Sequence, residues 1–284
     1  MKSLVRRSRS LPLGVDLGAD SVSIVATDAS DGGFRLCHAA TGAVPSSNNA
    51  PDLRIAQTLR HLLSQMPGRE RRAVLAAPAA DVVTRTFRVP PGMRRSEADR
   101  AAELEADAMV DWPQPERLVA LDPIPYASNE MLLSVARAGT IERLVAIARA
   151  AGLKPVAVDI PACAWRRAVG TADAVLDTTT DRAALVIFGR PVGIVHTFPP
   201  RLVDDRLASG VRAALADARR DGVCDVQTLA VLGLPLLQES ISELLASDGY
   251  TVDSVRLGEH VAPTWTFAYG LASWSVAPRG FIAS

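Results

Sequence analysis

Residues 14–18 read Gly-Val-Asp-Leu-Gly, the sharpest chemical signal in the chain. Two glycines around a carboxylate, set in a predicted strand–turn–strand, would let backbone N–H groups approach an anion while Asp16 faces a hydrated Mg²⁺. An ordinary hairpin with an aspartate near its turn has the same pattern, so spacing alone leaves both readings open. The other constellations are weaker. Glu97, Glu103, Glu105 and Asp107 form an acidic run on a predicted helix, which suits a solvated face better than an acid–base pair. Asp204 and Asp205 open a predicted helix, where negative charge favours the dipole. Ser21, Ser209 and Ser240 have no G-x-S-x-G context, so a hydrolase elbow is not supported. Three cysteines (Cys37, Cys163, Cys224) and four histidines are scattered, with no C-x-x-C, so neither a zinc site nor a disulfide frame is indicated.

Composition sets the frame for these residues. The chain has 284 residues, 48% hydrophobic and 22% charged, enough for a large α/β domain or two lobes and too apolar for a disordered chain. Thirty-one basic residues balance thirty-one acidic ones, which speaks against a nucleic-acid binder. Lys2, Arg6, Arg7 and Arg9 are a local exception, a cationic start suited to contact with a membrane surface. No apolar stretch follows them as in a signal peptide, and the longest apolar runs are too short to span a bilayer. The expectation is a cytoplasmic chain without a transmembrane segment, working against a membrane surface.

The elements that must position Asp16 read as follows. Leu13–Leu17 and Ser21–Thr27 flank the turn Gly18-Ala19-Asp20, and Phe34–Ala40 adds a third strand. Asp52 caps an amphipathic helix, and Ala73–Ala77 suits a buried strand parallel to the first. Val82–Val89 alternates as a half-exposed strand, stopped by Pro90-Pro91-Gly92. Ser96 and Asp99 resemble a capping box for the acidic helix, which Trp112-Pro113-Gln114-Pro115 ends. Met131–Ala136 is a further strand, Thr140 caps a helix closed by Gly152, and Val156–Asp159 is a strand. Beyond it, Pro161–Val169, Asp204–Arg220 and Leu236–Ser247 read as helices. Ala183–Phe188 with Val192–Phe198 reads as a hairpin, and Thr228–Leu232 and Thr251–Val255 as strands. Trp265, Phe267, Tyr269 and Trp274 suit core or interface.

The residues together resemble a family. The basic tail running into LPLGVDLGADSVSIVATD resembles the opening of PilM, the actin-like protein of type IV pilus assembly. VVTRTFRVPPGMRRSEADRAAELEADAMVDWP is similar to that family's strand, P-x-G turn and acidic E-x-E-A-D helix. MLLSVARAGTIERLVAIARAAGLKPVAVDIPACAWRRA resembles its strand, helix, A-G-L-K-P turn and V-D strand, and FAYGLASWS its last helix. The likeness is good over residues 1–169 and poor over 170–284.

The resemblance implies an α/β, actin-like ATPase fold (a duplicated ribonuclease H-like unit) with an inserted α+β subdomain. The expected division is a tail at 1–12, a first lobe at 13–80 and 155–182, the insert at 81–154 and a shortened second lobe at 183–284. It further implies a scaffold gripping the N-terminal peptide of a PilN-like inner-membrane protein, with other platform proteins and further copies of itself as additional partners. A nucleotide site would use Asp16, Gly18, Ala19, Asp20, Ser21, Gly189 and Gly233 for ATP and Mg²⁺. That site is expected to be degenerate. The family lysine falls on Ser23, the second loop's carboxylate on Ile187, and the Glu of V-D-x-E on Pro161. Arg85, Phe87, Arg88 and Trp112 are the expected partner groove. Rival readings are an active ATPase or small-molecule kinase of the same superfold, and an FtsA-like division protein.

Overall fold

A computed structural model describes residues 11–30, 33–46, 50–68, 70–123, 129–178, 183–189, 193–198, 205–222, 224–233, 235–254 and 263–274. The chain opens with an antiparallel meander, β1 (Leu13–Leu17), β2 (Ser21–Ser30) and β3 (Gly33–Ala43), followed by α1 (Pro51–Gln65) and β4 (Arg72–Ala76). Next come β5 (Val82–Arg88), α2 (Arg95–Met109), β6 (Arg117–Pro123), β7 (Glu130–Arg137) and α3 (Ala138–Ala150). β8 (Lys154–Asp159) and α4 (Pro161–Val169) lead to β9 (Ala174–Asp177), β10 (Ala184–Ile187) and β11 (Ile194–Thr197). The chain continues through α5 (Asp205–Arg220), β12 (Thr228–Leu232), α6 (Pro235–Ser247), β13 (Thr251–Ser254) and α7 (Thr266–Ala272).

Two five-stranded sheets have one topology. The first is ordered β3-β2-β1-β4-β8 and the second β11-β10-β9-β12-β13. In each, a three-stranded antiparallel meander is extended by two parallel strands. The same order in both halves is the duplicated unit that the resemblance implies. The third sheet, β5-β7-β6, carries α2 on one face.

Helices are exchanged between the large sheets. α4 leaves the first sheet, yet Ala162, Trp165 and Ala168 pack on Val175, Val186 and Ala230 of the second. α7 follows the second sheet, yet Ala268 and Ala272 pack on Val25, and Leu271 on Val74, of the first. The two helices cross closely, because a Cβ on Gly270 would lie 2.1 Å from the Ala164 carbonyl oxygen. The ring of Phe267 meets Trp165 at 5.0 Å between centroids. On its other face the first sheet buries Ile55, Leu59 and Leu62 of α1 with Ile141, Leu144 and Val145 of α3.

Several expectations change here. β9 belongs to the second sheet, although residues 155–182 read as first lobe; four residues flanked by loops leave too little periodicity to see. β6 was missed because its register is only partly apolar. Asp52 lies inside the first turn of α1, behind Ala50, and pairs with Arg143. Thr140 lies within α3, which starts at Ala138, and its hydroxyl donates to Asp81. At α2 it is Glu97, not Asp99, that accepts from the Arg94 N–H, at 2.8 Å, while Asp99 pairs with Arg95.

Candidate functional site

The β1–β2 turn is closed on itself. The Gly18 N–H donates to the Ser21 carbonyl at 2.9 Å, and a Cβ on Gly18 would come within 2.7 Å of that oxygen. The Gly18 amide is therefore consumed by the turn. Gly14 serves packing instead, since a Cβ there would lie 1.9 Å from the Ala268 carbonyl and 2.4 Å from the Ala272 nitrogen. It is a glycine so that α7 can lie directly on β1. Ala19 and Asp20 are exposed at the tip, where the Asp20 carbonyl accepts from Val44 N–H at 2.8 Å.

Asp16, next to the end of β1, has its counterpart in Asp177 at the end of β9. Asp177 pairs in register with Ala184 of β10 and Leu232 of β12, as Asp16 pairs with Ser23 of β2. The expected substitution of this carboxylate by Ile187 is thus wrong. Ile187 is buried within β10, opposite Ala174 and Ile194, at the far end of the sheet from Asp177. Gly189 lies beyond it and is separated from the site. The error arose because β9 is short, so the hairpin after it was read as the first of its half. Gly233 does reach the Asp177 end, but it lies under Thr178, whose hydroxyl would be 1.8 Å from an added Cβ. Thr178 in turn donates from both N–H and hydroxyl to the Leu232 carbonyl.

Asp16 keeps a rim of solvent contact but sits deep in protein. Desolvation first, and the negative charge of Asp177 second, raise its pKa from 3.8 to about 7. Ser23, at the family lysine's place, is buried and shares a 2.8 Å hydroxyl hydrogen bond with Thr41. The donor set is thus two carboxylates approaching from two sheets. Among the described residues no cluster of three or more His, Cys, Asp or Glu could enclose a metal.

A second buried carboxylate, Asp159 at the end of β8, has a cation beside it. Arg167 of α4 donates to Asp159 from one nitrogen and to the Gly270 carbonyl from Nε at 2.9 Å. Burial raises the Asp159 pKa and the Arg167 charge opposes that rise. Sequence reasoning missed this link between β8, α4 and α7. It also missed a cavity of about 630 Å³ beside the hairpin, lined by Leu17, Asp20, Val44, Arg54, Arg143 and Leu144.

The expected groove residues do not form one surface. Arg85 and Phe87 lie on the α2 side of β5, with Arg85 paired to Glu105 and Phe87 half-buried under the helix. Arg88 points the other way and is 86% exposed, 3.5 Å from Glu130. Trp112 lies past α2, with the Arg137 guanidinium stacked 4.3 Å above its ring. Strand alternation separates the first three residues. Lys2, Arg6, Arg7 and Arg9 lie outside the described residues.

Two equal sheets, exchanged helices and a carboxylate at the same strand end of each define the actin-like ATPase fold. The chain is similar over 93% of its length to a chain of a PilM–PilN type IV pilus biogenesis complex, at 20% identity and TM-score 0.70, covering 98% of that chain. The cytoplasmic domain of EpsL from the Vibrio cholerae type II secretion system matches at TM-score 0.55 and 12% identity, covering 93% of this chain and 96% of the other. EutJ from Carboxydothermus hydrogenoformans, an ethanolamine utilization protein, matches at TM-score 0.51 and 15% identity, with 93% and 89% covered. The sequence model of the type IV pilus assembly protein PilM matches residues 14–193, and the chain belongs to that family. Among the described residues no helix is long and apolar enough to cross a membrane.

Proposed function

We propose that this chain is a docking scaffold of a type IV pilus or related secretion platform. It holds the cytoplasmic N-terminal peptide of a PilN-like inner-membrane protein. The observation that carries the reading is membership of the PilM family, joined to a fold shared almost end to end with a chain from a PilM–PilN complex. The small sheet is the docking element in this reading, with Trp112 and Arg88 beside its two ends. The basic residues Lys2, Arg6, Arg7 and Arg9 would add affinity for anionic lipid, about 1 kcal/mol each near the surface. Loss of the chain would then abolish pilus-dependent twitching. Titration of the purified chain with that peptide tests the proposal, and absence of saturable binding would overturn it.

A second reading concerns the cleft. Asp16 and Asp177 together suit Mg²⁺, which is commonly held by one or two carboxylates with water and phosphate oxygens completing its shell. Asp16 and Asp177 would hold the ion, which would neutralise phosphate charge when bound. The Gly18 amide is bonded within its own turn, and Gly233 is a glycine because Thr178 lies against it. With Ser23 in place of the family lysine, the reading is nucleotide binding with little turnover, in a scaffold rather than an enzyme.

A further inference from the structure

The small sheet has an edge built for one kind of ligand. β5 is its outermost strand and, among the described strands, pairs only with β7, in an antiparallel register running from Val82↔Ala136 to Arg88↔Glu130. The Val89 N–H donates to the Asn129 carbonyl at 2.9 Å, and these two residues continue the same register. In an antiparallel ladder, bonded and non-bonded pairs alternate. Val83, Arg85 and Phe87 therefore turn their backbone groups toward β7. Thr84, Thr86 and Arg88 turn theirs outward, where no described strand pairs with them, whereas the Val82 N–H is taken by the Ala79 carbonyl.

Other edges are blocked or short. Trp265 and Tyr269 reach over β3, bonding Thr41 and the Phe34 carbonyl. β8 carries Pro155, β6 ends at Pro123, and β11 and β13 span four residues each. Proline and shortness are the usual guards against strand addition. β5 runs seven residues with neither. Its Arg85 is turned onto α2 by Glu105, away from the edge.

We propose that β5 receives its partner by strand addition: an extended peptide segment pairs with the outward backbone groups of Thr84, Thr86 and Arg88. This rests on the docking reading above and specifies how the same peptide is held. Main-chain bonds supply the grip at Thr84 and Thr86. The Arg88 guanidinium, 86% exposed beside Glu130, presents its remaining donors to an acidic side chain on the peptide at that end of the strand. The occupant is the partner's peptide rather than a second copy, because a copy of β5 would bring its own Arg88 and no acidic residue into the edge.

The test is calorimetric titration of the full chain with the synthetic N-terminal peptide of its PilN-like partner, N-methylated at one backbone position at a time. Each outward bond lost should weaken binding about fivefold, and the sensitive positions should recur at every second residue. Thr86→Pro removes an outward donor while leaving the β7 ladder untouched, and should weaken the unmodified peptide similarly with unchanged circular dichroism. If Thr86→Pro disturbs the small sheet, the N-methyl series decides. Binding with no two-residue periodicity, or full affinity in a folded Thr86→Pro variant, overturns strand addition and leaves the docking reading standing. Failure of the wild-type chain to bind the unmodified peptide overturns both. A dimer of the free chain that Thr86→Pro dissociates would make the occupant a second copy, against the proposal.

Discussion

Replacing Asp16 by Asn should stabilise the protein, and the gain should depend on pH in a defined way. The Asp16 pKa rises from 3.8 to about 7 on folding. Below pH 3.8 the carboxyl is protonated in both states and contributes nothing to the difference. Between 3.8 and 7 the unfolded chain releases its proton first, so ionisation increasingly favours unfolding. Above 7 the whole penalty is present, at most about 4 kcal/mol from a shift of roughly three units. Solvent at the rim of Asp16 screens part of this, so about 2–4 kcal/mol is expected. Asn at this position is never charged and also relieves Asp177. Chemical denaturation of both proteins should therefore show Asp16→Asn ahead by that margin at pH 8, by roughly half as much at pH 5, and level near pH 4. In thermal melts the pH 8 margin corresponds to about 5–10 °C. Millimolar Mg²⁺ should raise the wild-type melting temperature and leave the variant unchanged. A margin that does not change with pH, or a variant less stable than wild type at pH 8, would refute the argument that Asp16 is a desolvated carboxyl facing Asp177.

Gly14→Ala and Gly270→Ala should each destabilise by about 1–3 kcal/mol or more in urea melts, since each new Cβ meets backbone rather than a movable side chain. Arg167→Ala leaves Asp159 buried without its cation and should cost roughly 3–5 kcal/mol. That loss should be smaller at low pH, where Asp159 can protonate, as paired melts at pH 5 and pH 8 will show. Ser134→Ala should be neutral or stabilising, because the Ser134 hydroxyl is fully buried with no hydrogen-bond partner among the described residues. In native alkylation followed by mass spectrometry, exposed Cys37 should react first. Cys163, whose thiol is pushed up to about 12 chiefly by burial, should stay unlabelled until the protein unfolds.

The sequence by itself determined the elements with strong local signatures. The β1–β2 hairpin, α1, the alternating strand β5, α5 and α6 lie within a residue or two of their predicted positions, except for the longer reach of β2. These rest on period and turn chemistry, which act over a few residues and are written in them. Motif order also carried the family, because E-A-D and A-G-L-K-P report the chain's course without any knowledge of its packing.

Tertiary structure alone decided the site. Asp177 follows a four-residue strand with no periodicity to read, and it becomes the partner of Asp16 only because two sheets of the same topology bring their strand ends together. Gly14 looked like part of an anion loop; what fixes it as glycine is the backbone of α7, at the other end of the chain. Likewise the outward row on β5 follows from which pairs of an antiparallel ladder are bonded, and a strand's own sequence is the same for either phase. Local sequence fixes conformation over a few residues, whereas burial, charge pairing and close approach depend on groups that only the folded chain makes neighbours.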